Sequence, residues 1–141
     1  MAADLRGRFD HVGLNVRDLD RAIAWYTDAF ALQVEQEGGV ETVGFRFAML
    51  KAPDGFRLEL LTRTGSAPGL RAADALEAAL TEGYGHVALE VPDLDAMFRH
   101  LVGKGATPIW DPRPAPVPRS RMAWVADPEG NLIELLHRDE D

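Results

Sequence analysis

Residues 11–20 read HVGLNVRDLD and residues 86–95 read HVALEVPDLD, the same ten letters apart from Gly13/Ala88, Asn15/Glu90 and Arg17/Pro92. A second match keeps the same 75-residue offset: PDGFRLELL at 53–61 returns as PEGNLIELL at 128–136, so Glu59 maps onto Glu134 as His11 maps onto His86. Two separated blocks with one offset and no net insertion are what duplication of a structural unit leaves behind. The expected organisation is a single domain, 1–141, built from two modules at about 9–63 and 84–137 with a linker at 64–83.

Each module opens with an alternating segment. Val12, Leu14 and Val16 point one way and His11, Gly13 and Asn15 the other, as do Val87, Leu89 and Val91 against their neighbours; period two is the mark of a half-buried strand. Asp18 and Asp93 can cap the helices that follow, whose apolar positions (Ala22, Ile23, Tyr26, Phe30; Leu94, Met97, Phe98, Leu101) recur at helical spacing, with Gly103 and Gly105 suited to ending the second. Strand-like runs follow at about 43–50, 56–63, 107–110, 120–126 and 131–137, and the turns Ala52-Pro53-Asp54-Gly55 and Asp127-Pro128-Glu129-Gly130 place each last strand after a hairpin. The class is α+β. The linker portion LRAADALEAAL predicts a short helix, and DPRPAPVPRS, with four prolines lacking a backbone donor, predicts a loop.

Parity then groups the chemistry. If each helix covers the Val12/Leu14/Val16 type of face, His11 and His86 project to the opposite side, where Glu59 and Glu134 can join them. Two imidazoles and two carboxylates are a divalent-metal donor set, open to Zn, Ni, Co, Fe or Mn alike. His100 on the helix and His137 near the C-terminus lack such pairing and are assigned solvated or structural roles.

Composition removes other classes. With no cysteine there is no disulfide, thiolate nucleophile or Cys-ligated metal, and a formal charge of −8 without a basic block opposes nucleic-acid binding. No run of about 18 apolar residues is present to span a membrane. Arg and Asp occupy the opening residues where an export signal needs an apolar segment, so a cytoplasmic location is expected.

HVGLNVRDLDRAIAWYTDAF, GFRLELL, GYGHVALEVPDLD and ADPEGNLIELL together resemble the vicinal oxygen chelate superfamily of glyoxalase I, methylmalonyl-CoA epimerase, extradiol dioxygenases and bleomycin or fosfomycin resistance proteins. The resemblance spans nearly the whole chain. It implies tandem βαβββ modules forming a cup-shaped mixed sheet around a metal, with His11, Glu59, His86 and Glu134 as ligands, a set most similar to that of glyoxalase I. It also implies a homodimer acting on a small molecule. Where bacterial glyoxalase I carries Arg and Asn toward glutathione, this chain carries Asn15 and Arg63, which suits a different anionic or carbonyl substrate. Asn15, Arg63, Arg121 and Trp124 are the candidate substrate-binding residues.

The chemistry implied is proton transfer of lyase, isomerase or epimerase type, with Glu134 or Glu59 moving the proton beside a chelated carbonyl or enediolate oxygen. An extradiol-type dioxygenase is the enzymatic alternative, since two His and one carboxylate make a facial triad, but a fourth ligand at Glu59 would occupy the place needed for oxygen. A drug-sequestering protein of the bleomycin-resistance kind is the other, drawing on Trp110, Trp124 and the acidic charge. It would have no use for two His/Glu pairs, and Trp25, Trp110 and Trp124 also suit a core or an interface.

Overall fold

A computed structural model describes residues 2–139, and the chain divides into two compact units, one up to Ser66 and one from Ala67. In the first unit the strands are β1 (Val12–Asn15), β2 (Gln33–Val40), β3 (Phe45–Lys51) and β4 (Arg57–Arg63), in the sheet order β1-β4-β3-β2. Helix α1 (Leu19–Phe30) follows β1, and β1 lies parallel to β4 while the other pairings are antiparallel. α1 starts where it does because the Asp18 carboxylate accepts the Arg21 N–H at 3.1 Å, satisfying a backbone donor that has no partner inside the helix. Its buried face, Leu19, Ala22, Tyr26 and Ala29, packs on β3 and β4, where Ala48, Leu50, Leu58 and Leu60 are sealed from solvent.

The second unit repeats the plan: β5 (His86–Glu90), α3 (Leu94–Gly103), β6 (Thr107–Pro114), β7 (Ser120–Ala126) and β8 (Leu132–Arg138), in the order β5-β8-β7-β6. Asp93 caps α3 through the Ala96 N–H at 3.1 Å, and the helix packs on β6, β7 and β8 over Ala123, Val125, Ile133 and Leu135. Each unit is thus a βαβββ module with a four-stranded mixed sheet. Both hairpins ahead of the last strands close as their composition predicts: the Gly55 N–H donates to Ala52 O at 3.0 Å and the Gly130 N–H to Asp127 O at 2.9 Å, each glycine at positive φ.

An ion pair is also duplicated. Asp20 in the first turn of α1 accepts from Arg46 of β3 at 3.0 Å, and the residues 75 positions on, Asp95 of α3 and Arg121 of β7, pair at 3.1 Å. This corrects the substrate-binding expectation for Arg121. Strand alternation puts it with Ala123 and Val125 on the helix side of the sheet, where Asp95 takes up its guanidinium.

One local expectation needs correction, one strand was unexpected, and the linker helix is shorter than its run. The run QVEQEGGV forms β2, which sequence pattern did not indicate, because all eight residues are exposed and an edge strand so placed needs no apolar alternation. Asp111–Pro114 is not loop but the end of β6. As the outermost strand, β6 tolerates prolines that cannot donate, and its pairing with β7 is irregular between Pro108 and Arg113. In the linker, only α2 (Ala75–Ala78) is helical: Asp74 caps it through the Glu77 N–H at 2.9 Å, and Leu70, Ala72 and Ala75 press on the sheet beside the buried Ala78, Trp124, Ala126 and Leu132.

Candidate metal centre

Register brings each histidine to its glutamate. Gly13 lies opposite Glu59 in the parallel β1–β4 pair, so His11, two residues earlier, shares the Glu59 face and sets Nε2 at 3.4 Å from Glu59 Oε1. Ala88 lies opposite Glu134 in the β5–β8 pair, and His86 Nε2 again stands 3.4 Å from Glu134 Oε1. The carboxylates are the more sheltered members: their side chains are 21% and 18% exposed against 33% and 40% for the imidazoles.

Two donors held around one cation of about 2.1 Å bond length at right angles lie roughly 3 Å apart, so each pair has the donor types and nearly the spacing that a single divalent ion requires. Among the described residues no three His, Asp or Glu side chains form a ready cage; each unit holds one His/Glu pair.

The surroundings of the pairs differ. His11 Nδ1 lies 2.8 Å from Asp10 Oδ2, and since a carboxylate only accepts, the imidazole donates there. That hydrogen bond raises the His11 pKa above its ordinary value; desolvation opposes the shift and the Glu59 charge reinforces it. The same bond holds the Asp10 carboxyl below the usual range. Behind Asp10 stands Arg57, with Nη1 4.0 Å from Asp10 Oδ1 and Nε 3.0 Å from Glu35 Oε1. His86 has a ring for a neighbour instead: Trp124 packs against it edge-on, centroids 4.5 Å apart.

Trp124, expected to touch substrate, is instead a core residue. It is 4% exposed, donates Nε1–H to Met122 Sδ at 3.4 Å, and meets Trp110 at 6.0 Å under the cover of the α2 segment. Asn15 and Arg63 are exposed near the ends of β1 and β4, on the face that carries Glu59, and Phe45 lies directly across from Arg63. Among the described residues neither side chain has a polar partner. Their counterparts in the second unit, Glu90 and Arg138, approach to 3.7 Å as an ion pair. Of the other histidines, His137 donates Nδ1–H to Val91 O at 3.0 Å, tying β8 to the segment after β5. Sequence reasoning missed Asp10 and Arg57. The available signal was the Asp preceding His11, which has no counterpart before His86, where Gly85 stands.

Known proteins share this fold. The lactoylglutathione lyase of Arabidopsis thaliana is 28% identical over 134 residues, covering 93% of this chain, which spans 44% of that protein's length. The lactoylglutathione lyase of Haemophilus influenzae is 27% identical over 129 residues, covering 89% of each. The crystal structure of a glyoxalase family protein from Bacillus cereus superposes with a TM-score of 0.78 at 26% identity over 97% of both chains. With residues 8–135 matching the glyoxalase/bleomycin resistance protein/dioxygenase superfamily, the chain belongs to that superfamily.

Proposed function

We propose that the chain is a glyoxalase-like, divalent-metal-dependent lyase or isomerase whose metal ligands are His11, Glu59, His86 and Glu134. The observation that carries this is the repetition of one donor pair, 3.4 Å in both units, by residues equivalent in the duplication. An isolated His/Glu contact on a strand needs no metal; the same contact kept twice at matched register argues for a ligand role. When bound, such an ion supplies Lewis-acid stabilisation to an oxyanion next to the reacting C–H.

The protein's own groups do the rest. Glu134, with Trp124 directly across from it on β7, is the carboxylate shielded by the larger side chain. It takes the proton from the carbon beside the substrate carbonyl and returns it to the adjacent carbon, so that reactant and product are isomers. Glu59, facing Met49 of β3, is the other carboxylate of the ligand set. Arg63, with no carboxylate of its own, receives an anionic group of the substrate, and Phe45 and Phe47, 6.2 Å apart, offer apolar surface on the same face. A thiol adduct of a 2-oxoaldehyde fits this layout, in keeping with the relatives' names. The burial of Trp124 and the packing of Trp110 beside it leave little of the aromatic groove that drug sequestration would use.

No helix among the described residues is long and apolar enough to cross a membrane. We place the protein in the cytoplasm as a homodimer, which light scattering on the purified chain checks. The test of function is metal analysis with assay of hemithioacetals made from glutathione and from other small thiols. Stoichiometric Zn, Ni, Co, Fe or Mn and a fall in kcat of about 10²–10⁴-fold in Glu134→Gln are expected, with Glu59→Ala losing metal as well. A chain still metal-free after reconstitution sinks the proposal.

A further inference from the structure

We infer that Asp10 is a positioning residue that fixes His11 in one tautomer and thereby pre-sets the His11/Glu59 pair to receive a cation. The inference builds on the metal reading above, but its structural half stands without it. A neutral imidazole carries one N–H. Asp10 Oδ2, 2.8 Å from Nδ1, can only accept, so the proton sits on Nδ1 and the Nε2 lone pair is left bare. That lone pair faces Glu59 Oε1 at 3.4 Å. Two acceptors aimed at each other repel until a cation lies between them, so Asp10 prepares His11 and Glu59 to receive one.

Asp10 is itself steadied. Arg57 stands 4.0 Å from its other oxygen and is in turn held by Glu35 through Nε at 3.0 Å and Nη2 at 3.3 Å, with Lys51 3.7 Å from the same carboxylate. The second unit lacks every part of this arrangement: positions 85 and 132, the counterparts of Asp10 and Arg57, are Gly and Leu. Among the described residues nothing accepts from His86 Nδ1, which leaves that imidazole free to place its proton on Nε2 and donate to Glu134. Carboxylates behind metal-bound histidines act in this way, and their loss typically lowers metal affinity about 10–100-fold.

The experiment uses full-length, metal-free protein with ¹⁵N-labelled histidine. Long-range ¹H–¹⁵N spectra, recorded where the imidazoles are neutral, should show the His11 proton on Nδ1. In Asp10→Ala that preference should vanish, whereas Asp10→Asn, whose amide oxygen still accepts, should keep it. Competition of Ni²⁺ or Zn²⁺ against a chromophoric chelator should show affinity falling about 10–100-fold in Asp10→Ala, with an unchanged thermal melt because Asp10 is exposed. A His11 proton on Nε2 in the parent protein, or unaltered tautomer or affinity in Asp10→Ala, overturns the inference. Should the parent bind neither ion, the metal proposal fails, and the tautomer measurement alone decides the role of Asp10.

Discussion

His11 and His86 occupy one place in two copies of the same unit, each 3.4 Å from a glutamate, yet one imidazole is held by a carboxylate and the other by an indole. The helix side of each sheet has changed little since the units were alike: Asp20–Arg46 and Asp95–Arg121 are the same ion pair, and Leu60 and Leu135 are equally sealed. The opposite side has diverged. In the second unit it is packed under the α2 segment with Trp124 at its centre, while in the first the corresponding Met49, with Phe45 and Phe47, stays only half buried. One face of the module is conserved for packing; the other carries what distinguishes the halves.

The largest expected effect tests that contrast directly. Trp124→Ala removes a side chain that is 4% exposed and clamped between sheet and linker, which should cost about 3–5 kcal/mol. Met49→Ala, the equivalent change, removes a half-buried side chain and should cost about 1 kcal/mol. Urea denaturation of the two variants measures both. Equal losses would mean that the two faces are packed alike.

A smaller effect separates the strand ends. Arg138 already has Glu90 within 3.7 Å, but Asn15 stands in the glutamate's place beside Arg63. Asn15→Glu would install in the first unit the counter-ion of the second. If Arg63 receives the substrate's anionic group, Asn15→Glu and Arg63→Gln should each raise KM about tenfold, near 1.4 kcal/mol, with kcat little changed, whereas Arg138→Gln should leave KM alone. Steady-state kinetics with an acidic and a neutral thiol adduct decides it, because only the acidic one should respond.

The duplication made most of the fold legible. Strands with one apolar face announce themselves by alternation, as β1, β4, β5 and β8 do, and both helices begin at the Asp that caps them. β2 was illegible for a physical reason: an edge strand exposed on both faces carries no pattern, and its Gly38 and Gly39 are explained only by the Phe47 ring and Phe45 carbonyl lying over them. The prolines of β6 hid a strand because only sheet order reveals which strand is outermost. The metal-binding candidates could be read as a pair of pairs, and each pair meets within its own unit. Arg121 and Trp124 were read from residue type alone, and the pairing of Arg121 with Asp95, which repeats that of Arg46 with Asp20, shows only in the structure. Asp10 escaped notice because it has no counterpart in the second copy, and a comparison of repeats is blind to what only one of them has.

The smallest effect lies where the two helices end. α1 runs into Ala31 at φ 54, a left-handed conformation that costs a residue with a Cβ roughly 1–2 kcal/mol, while the chain leaving α3 turns through Gly105 at φ 98. Ala31 is exposed, so nothing in the packing requires its methyl group. Ala31→Gly removes that strain but adds freedom to the unfolded chain, and the balance should be a gain of about 0.5–1 kcal/mol, a rise of a few degrees in thermal midpoint. Gly105→Ala should move the other way by at least as much, because a φ near 98° is poorly accessible to alanine even though the space around Gly105 is open. Opposite signs at the two helix ends would show that the halves have solved one termination problem with unequal success. A loss on Ala31→Gly would mean that the first unit's termination rests on more than backbone conformation.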